Sequence, residues 1–170
     1  MCEQDYSPHR DRILVAGVGN RLMGDDGFGP RVIDLLSAHS LPVNVELRDV
    51  GTSGLSIATD LSDYDLVIFI DSMEMEGEPG QISRFEVDVE DVHDDVGKPI
   101  GSTLHELGLG ELLKISKAIG TLPPRVILVG CKPGDIRPGM TMTAAVEQAA
   151  HRAADMVLEI LGLKTNERVD

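Results

Sequence analysis

The sequence contains no tryptophan and only three phenylalanines and two tyrosines in 170 residues. Its core must therefore be aliphatic, and the aromatic platforms that stack single-stranded nucleic acid are missing. Two cysteines, Cys2 and Cys131, are too few for a disulfide framework and suit a reducing compartment. Cations are scarce as well: 15 Lys and Arg stand against 29 Asp and Glu, a net charge of −14. A general nucleic-acid binder needs a basic surface to displace counterions, and an anionic membrane surface repels such a chain. No apolar run approaches the roughly 20 residues of a membrane span. The polar stretch Met1 to Arg12 lacks the apolar centre of a secretory signal. These absences lead to the expectation of a cytoplasmic protein with no nucleic-acid partner and no membrane insertion.

What is present fits one globular domain over residues 1–170, with a core from 12 to 161 and polar tails at 1–11 and 164–170. Hydrophobic residues make up 42% of the chain, enough for a real core and too many for wholesale disorder. Ile13 to Val18 reads as a buried strand feeding the glycine-rich loop Gly17-Val18-Gly19-Asn20. Gly29-Pro30 opens a helix with Val32, Ile33, Leu35 and Leu36 on its inner side. Val43 to Val50 reads as a second strand and Leu55 to Leu61 as a short helix. Asp65 to Ile70 is a third strand that stops at Asp71, its continuous apolar run expected of a strand covered on both faces. Ile82 to Val89 alternates strictly, with Phe85, Val87 and Val89 on one side, and predicts a half-exposed edge strand. Thr103 to Ala118 predicts a helix, Arg125 to Val129 a strand, and Thr143 to Leu161 a final helix. The order β-α-β-α-β-β-α-β-α implies an α/β fold with a mainly parallel sheet, helices on both faces and one antiparallel edge strand.

Ligands of such sheets bind beyond the carboxyl ends of the strands. Polar residues stand at four of these ends: Asn20 with Asp25 and Asp26, Asp49 with Thr52, Asp71, and Cys131. An acid ending a five-residue apolar run is costly to hold without a partner, so Asp71 is the most informative residue, although a turn or helix cap would also account for it. Asp25-Asp26-Gly27 divides similarly between an Asx-type turn and a carboxylate aimed into a cleft. His105 follows a glycine- and proline-containing loop; a lone histidine is more often structural or exposed. His9, His39, His93 and His151 read as surface residues. Two carboxylates and an imidazole would suit a divalent metal with open positions, which polarises a carbonyl or activates a water. Other chemistries lack their signatures. Leu22 stands where a dinucleotide fingerprint needs its third glycine, and neither a P-loop nor a G-x-S-x-G elbow occurs. Cys131 after its strand reads more readily as a buried small residue than as a nucleophile.

The stretch from Ile13 to Pro30, ILVAGVGNRLMGDDGFGP, closely resembles the opening motif of the hydrogenase maturation endopeptidases, the proteases of [NiFe] hydrogenase assembly. The resemblance continues through Asp49-Val50-Gly51-Thr52-Ser53-Gly54, Leu66 to Asp71, His105-Glu106-Leu107-Gly108-Leu109 and Val129-Gly130-Cys131-Lys132-Pro133 into the last helix, covering roughly Arg12 to Leu161. It implies a three-layer α/β/α sandwich on a twisted five-stranded sheet. It also implies an enzyme that removes the C-terminal extension of the hydrogenase large-subunit precursor after nickel insertion. The family's metal-contacting and catalytic positions fall on Asp26, Asp71 and His105, the register favouring Asp26 over Asp25. Asn20, Asp25, Asp49, Gly51 and Thr52 are the expected substrate-binding neighbours. Nickel is supplied by the precursor rather than held permanently, and the same site would accept another divalent metal such as Zn or Cd. The precursor is the expected partner and a monomer the expected state. Two other readings compete: a non-catalytic nickel-checking chaperone and a small-molecule metallohydrolase. Ten acids and one base between Asp71 and Asp95 concentrate the negative charge beside this cleft, where they could steer a basic precursor tail.

Overall fold

A computed structural model describes residues 11–52, 54–92, 108–139 and 141–165. Five strands form one sheet: β1 (Ile13–Val18), β2 (Val45–Gly51), β3 (Leu66–Ser72), β4 (Ile82–Val87) and β5 (Arg125–Cys131). Their order is β2-β1-β3-β5-β4; the first four run parallel and β4 is antiparallel to β5. Three helices complete the fold: α1 (Phe28–Ser37), α2 (Gly108–Ile119) and α3 (Ala144–Ile160). This is the expected α/β sheet with one antiparallel edge.

Alternation along the central strands builds two cores, because successive side chains of a strand point to opposite faces. Val15, Ile68, Ile70, Ile127 and Val129 join α1 and α3 on one face. Leu14, Ala16, Val67, Phe69, Val126 and Leu128 join Leu109, Leu112 and Leu113 of α2 on the other. With both faces covered, every residue of β3 is buried, as its apolar run requires. Residues Val146, Ala149, Ala150, Ala153 and Val157 are the buried stripe of α3. Arg31 of α1 grips Glu147 of α3 through Nε at 2.9 Å and Nη2 at 2.7 Å.

Several local expectations shift. The predicted helix at Leu55 to Leu61 is instead two short 3-10 turns, Leu55–Ile57 and Leu61–Asp63. The second strand begins at Val45, leaving Val43 almost fully exposed outside it. The third strand continues through Asp71 and Ser72, because both still pair with β5, opposite Gly130 and Cys131. Strand β4 is the half-exposed edge strand expected, and Phe85 in its middle is 37% exposed. The predicted start of the α2 helix, with Leu104, His105 and Leu107, lies outside the described residues.

The sheet order places a topological switch between β1 and β3. The chain leaves β1 for β2 on one side, then returns across β1 to β3 on the other. The crevice beyond these two strand ends is where open α/β sheets bind ligands. Helix α1 is pressed into it unusually closely. A methyl group at Gly29 would stand 2.3 Å from the Val18 carbonyl oxygen and 2.4 Å from that of Ile70. Gly29→Ala must therefore pry the helix off both strands. It is expected to destabilise the protein by about 1–3 kcal/mol, as overpacked substitutions do, and urea unfolding will measure the loss.

Candidate active site

The loop after β1 carries Asn20 to Gly27 to the crevice, and its last turn, Gly24–Gly27, is a 3-10 helix. Consecutive side chains on such a turn diverge by about 120°, so the neighbouring acids Asp25 and Asp26 face different surroundings. Asp25 is fully buried. Its Oδ2 accepts from the backbone N–H of Gly134 at 2.8 Å and of Asp135 at 2.9 Å, and from Thr143 Oγ1 at 2.9 Å. Its Oδ1 accepts from the Thr143 N–H at 2.7 Å. It thus anchors Thr143, the residue that precedes α3, from a distant part of the chain and ties the loop after β1 to the loop after β5. This geometry does not fit the expected substrate-binding role: Asp25 is committed to the fold.

Asp26, half-buried, turns toward β3. Its Oδ2 accepts from the Asn20 N–H at 2.8 Å and its Oδ1 from Ser72 Oγ at 3.1 Å. Asp71 is 2% exposed, and its Oδ2 finds no donor among the described residues. Burial, together with the charge of Asp26, pushes the Asp71 carboxyl up to about 8, against a smaller opposing effect of the Ser72 backbone N–H. The carboxyl is thus mostly protonated at neutral pH and ready to exchange its proton for a cation. Among the described residues no three His, Cys, Asp or Glu side chains gather into a complete metal site. The two carboxyls are the part of the expected set that the structure describes, and His105 lies outside it. An orphaned buried oxygen beside a second carboxylate fits a divalent cation with open positions, which such oxygens accept.

Of the remaining expected residues, Asn20 touches this pair. Asn20 serves through its backbone, while its side-chain Oδ1 accepts from the Leu22 N–H at 2.9 Å. Asp49, at the end of outer strand β2, accepts from Arg21 Nε at 3.0 Å, and Arg21 also holds Asp34 at 2.7 and 2.9 Å. Gly51 receives the Gly19 N–H on its carbonyl at 2.9 Å and takes a left-handed φ of 70°; Thr52 is exposed. No hydrogen bond among the described residues brings Asp49, Gly51 or Thr52 to the carboxyl pair. Cys131 is fully buried, and desolvation with the Asp25 charge pushes its thiol up to about 12. A thiol so hard to ionise is a poor nucleophile. Ser72 is the member of the site that no sequence motif marked; a hydroxyl directly after a buried strand-end acid was the available signal.

The model of the hydrogenase maturation protease family matches residues 30–160. The chain belongs to that family. The hydrogenase expression/formation protein HupD of Rhizobium leguminosarum is 35% identical over 159 residues, covering 91% of this chain and 76% of that protein. The hydrogenase 2 maturation protease of Escherichia coli is 33% identical and covers 88% of this chain and 90% of its own. Among solved structures, the hydrogenase 2 maturation peptidase of a Thaumarchaeota archaeon aligns with a TM-score of 0.71 and 54% identity over 90% of this chain and 99% of its own. The hydrogenase maturating endopeptidase HybD of E. coli aligns with a TM-score of 0.75 and 31% identity over 89% and 92%. As a hydrogenase maturation protease, the chain is assigned to the hydrolases, and no described helix is long and apolar enough to cross a membrane.

Two stability measurements separate the neighbouring acids and test Asp71. Asp25→Ala strands four donors, on Gly134, Asp135 and Thr143, around a fully buried carboxyl. Unpaired donors cost roughly 1–3 kcal/mol each where water is excluded and less where it has partial access, so a loss of about 3 kcal/mol is expected in chemical denaturation, larger than that of Asp26→Ala, which frees only the Asn20 N–H and the Ser72 hydroxyl. Asp71 holds its proton more tightly folded than unfolded. Its contribution to stability is complete below the ordinary value of 3.8 and is lost as pH rises through about 8. Asp71→Asn should therefore gain on wild type progressively across that window and level off above it, read from urea unfolding at a series of pH values.

Proposed function

We propose that this maturation protease removes the C-terminal extension of a [NiFe] hydrogenase large-subunit precursor and recognises the nickel already placed in that precursor. The observation that carries this reading is the orphaned, buried carboxyl of Asp71 beside Asp26 at the switch point of the sheet. Family membership supports the proteolytic reaction and the precursor as partner.

In this reading Asp26 and Asp71 present carboxylate oxygens to the substrate's nickel, and His105, three residues before α2, supplies the third donor. Docking the cation fixes the adjacent peptide bond against the crevice, a gain of orientation rather than of new covalent chemistry. The cation, still part of the substrate, can polarise the scissile carbonyl or a water. Asp71 must lose its proton for this contact, so cation uptake strengthens as pH rises toward about 8. No protein nucleophile is required, in keeping with the buried, neutral Cys131. The low cysteine content suits a cytoplasmic setting.

Mass spectrometry of the large subunit tests the proposal. The nickel-loaded precursor should lose its C-terminal extension on incubation with this protein, and the nickel-free precursor should stay whole. An intact C-terminus after full binding would overturn the protease reading and favour a chaperone. Asp71→Ala and His105→Ala are each expected to lower processing by at least about a hundredfold, the scale of an interaction essential for positioning, with far-UV circular dichroism unchanged. Cys131→Ala should process at near wild-type rate; loss of activity with normal folding would point to a thiol mechanism.

A further inference from the structure

Ser72 is 4% exposed and ends β3 directly after Asp71. Strand alternation separates the two side chains. Leu66, Ile68 and Ile70 belong to the core under α1 and α3, while Val67 and Phe69 belong to the core under α2. Ser72 continues the first row and Asp71 the second. Asp26 arrives from the loop that leads into α1, on the Ser72 side. Hence the hydroxyl reaches Asp26 Oδ1 at 3.1 Å while the backbone N–H of the same residue bears on the Asp71 carboxyl.

The Asp26 carboxylate is gripped at both oxygens by different donors, Ser72 Oγ on Oδ1 and the Asn20 N–H on Oδ2. Two such anchors block rotation of the carboxylate about its Cβ–Cγ bond. Each oxygen accepts one hydrogen bond and keeps a lone pair for a cation. A serine with a purely local role would bond a nearby backbone carbonyl. This one spans 46 residues of sequence to a site carboxylate. We infer that Ser72 is a positioning residue, whose hydroxyl holds Asp26 in the orientation in which Asp26 and Asp71 take one divalent cation together. The inference rests on the two-carboxylate site proposed above.

Calorimetric titration of Ni2+ into the full chain tests it, with melting temperatures recorded for each variant. Ser72→Ala should weaken Ni2+ binding by about 10–100-fold, the usual effect of removing a group that orients a metal ligand, with no change in melting temperature. Ser72→Thr keeps a hydroxyl and should restore affinity. With nickel-loaded precursor, Ser72→Ala should raise KM more than it lowers kcat, because the group acts in docking. Wild-type affinity in Ser72→Ala, while Asp26→Ala loses it, would overturn the positioning role and leave the site standing. Equal affinity in wild type, Asp26→Ala and Asp71→Ala would remove the site itself. A wild-type protein that takes up no Ni2+ would overturn both.

Discussion

Asp71 stands at the end of a strand whose every residue is buried, with β1 on one side, β5 on the other and a core on each face. Any charge placed there is stripped of water, and the fold offers it a second carboxyl rather than a counter-ion. Selection for stability alone favours an apolar side chain at such a point, since buried charges seldom repay their desolvation. A strained carboxyl retained in a cleft is instead what a functional site looks like. The surrounding architecture follows from this constraint. The close approach of α1 at Gly29 brings the Asp26 loop within reach, and the switch point falls at these strand ends, where open α/β sheets bind ligands.

Two identical residues, adjacent in the chain, do opposite work in this arrangement. The 3-10 turn sends Asp25 down to a ring of donors from residues 134, 135 and 143, and sends Asp26 across to Ser72. Asp25 holds the loop; Asp26 uses the position so gained. The bridge between Met23 and Gly139 and the bond from Asp25 N–H to Asp135 carbonyl at 2.8 Å fasten the same two loops through their backbones. The turn that presents Asp26 is thus supported from below before any ligand arrives, which is the condition for a precise cation contact.

Much of this was legible in the sequence, for physical reasons that can be named. The continuous apolar runs of β1, β3 and β5 announced a sheet covered on both faces, and the alternation of Ile82 to Val89 announced its edge. The acid ending β3 was visible as an energetic anomaly. The division between Asp25 and Asp26 was not, because it depends on the handing of donors from residues more than a hundred positions away. The short helix expected at Leu55 to Leu61 dissolved into two 3-10 turns because apolar spacing alone does not separate one helical turn from several. The partial exposure of Phe85 shows what alternation reports: which residues share a face, not whether another layer covers that face.

The two carboxyls also reach the crevice from different layers. Asp71 lies on the row of β3 that faces α2, and Asp26 comes from the loop that starts α1 on the opposite face. A site assembled in this way is sensitive to any sliding of one layer over the other, and packed cores resist such sliding. The Ser72 hydroxyl ties the end of β3 to the Asp26 loop. The acidic band beyond β3 adds a field of its own, but part of it is already answered: Lys132 holds Glu74, and Arg125 holds Glu86 at 3.2 Å. These pairs flank β5 and β4, whereas the charged neighbour that shifts Asp71 is another acid, Asp26. A divalent cation entering the crevice therefore meets the Asp26 carboxylate and an Asp71 carboxyl that must release its proton to join it. Its arrival displaces the Asp71 proton and lets both carboxylates carry their charge beside it, so binding is coupled to proton release.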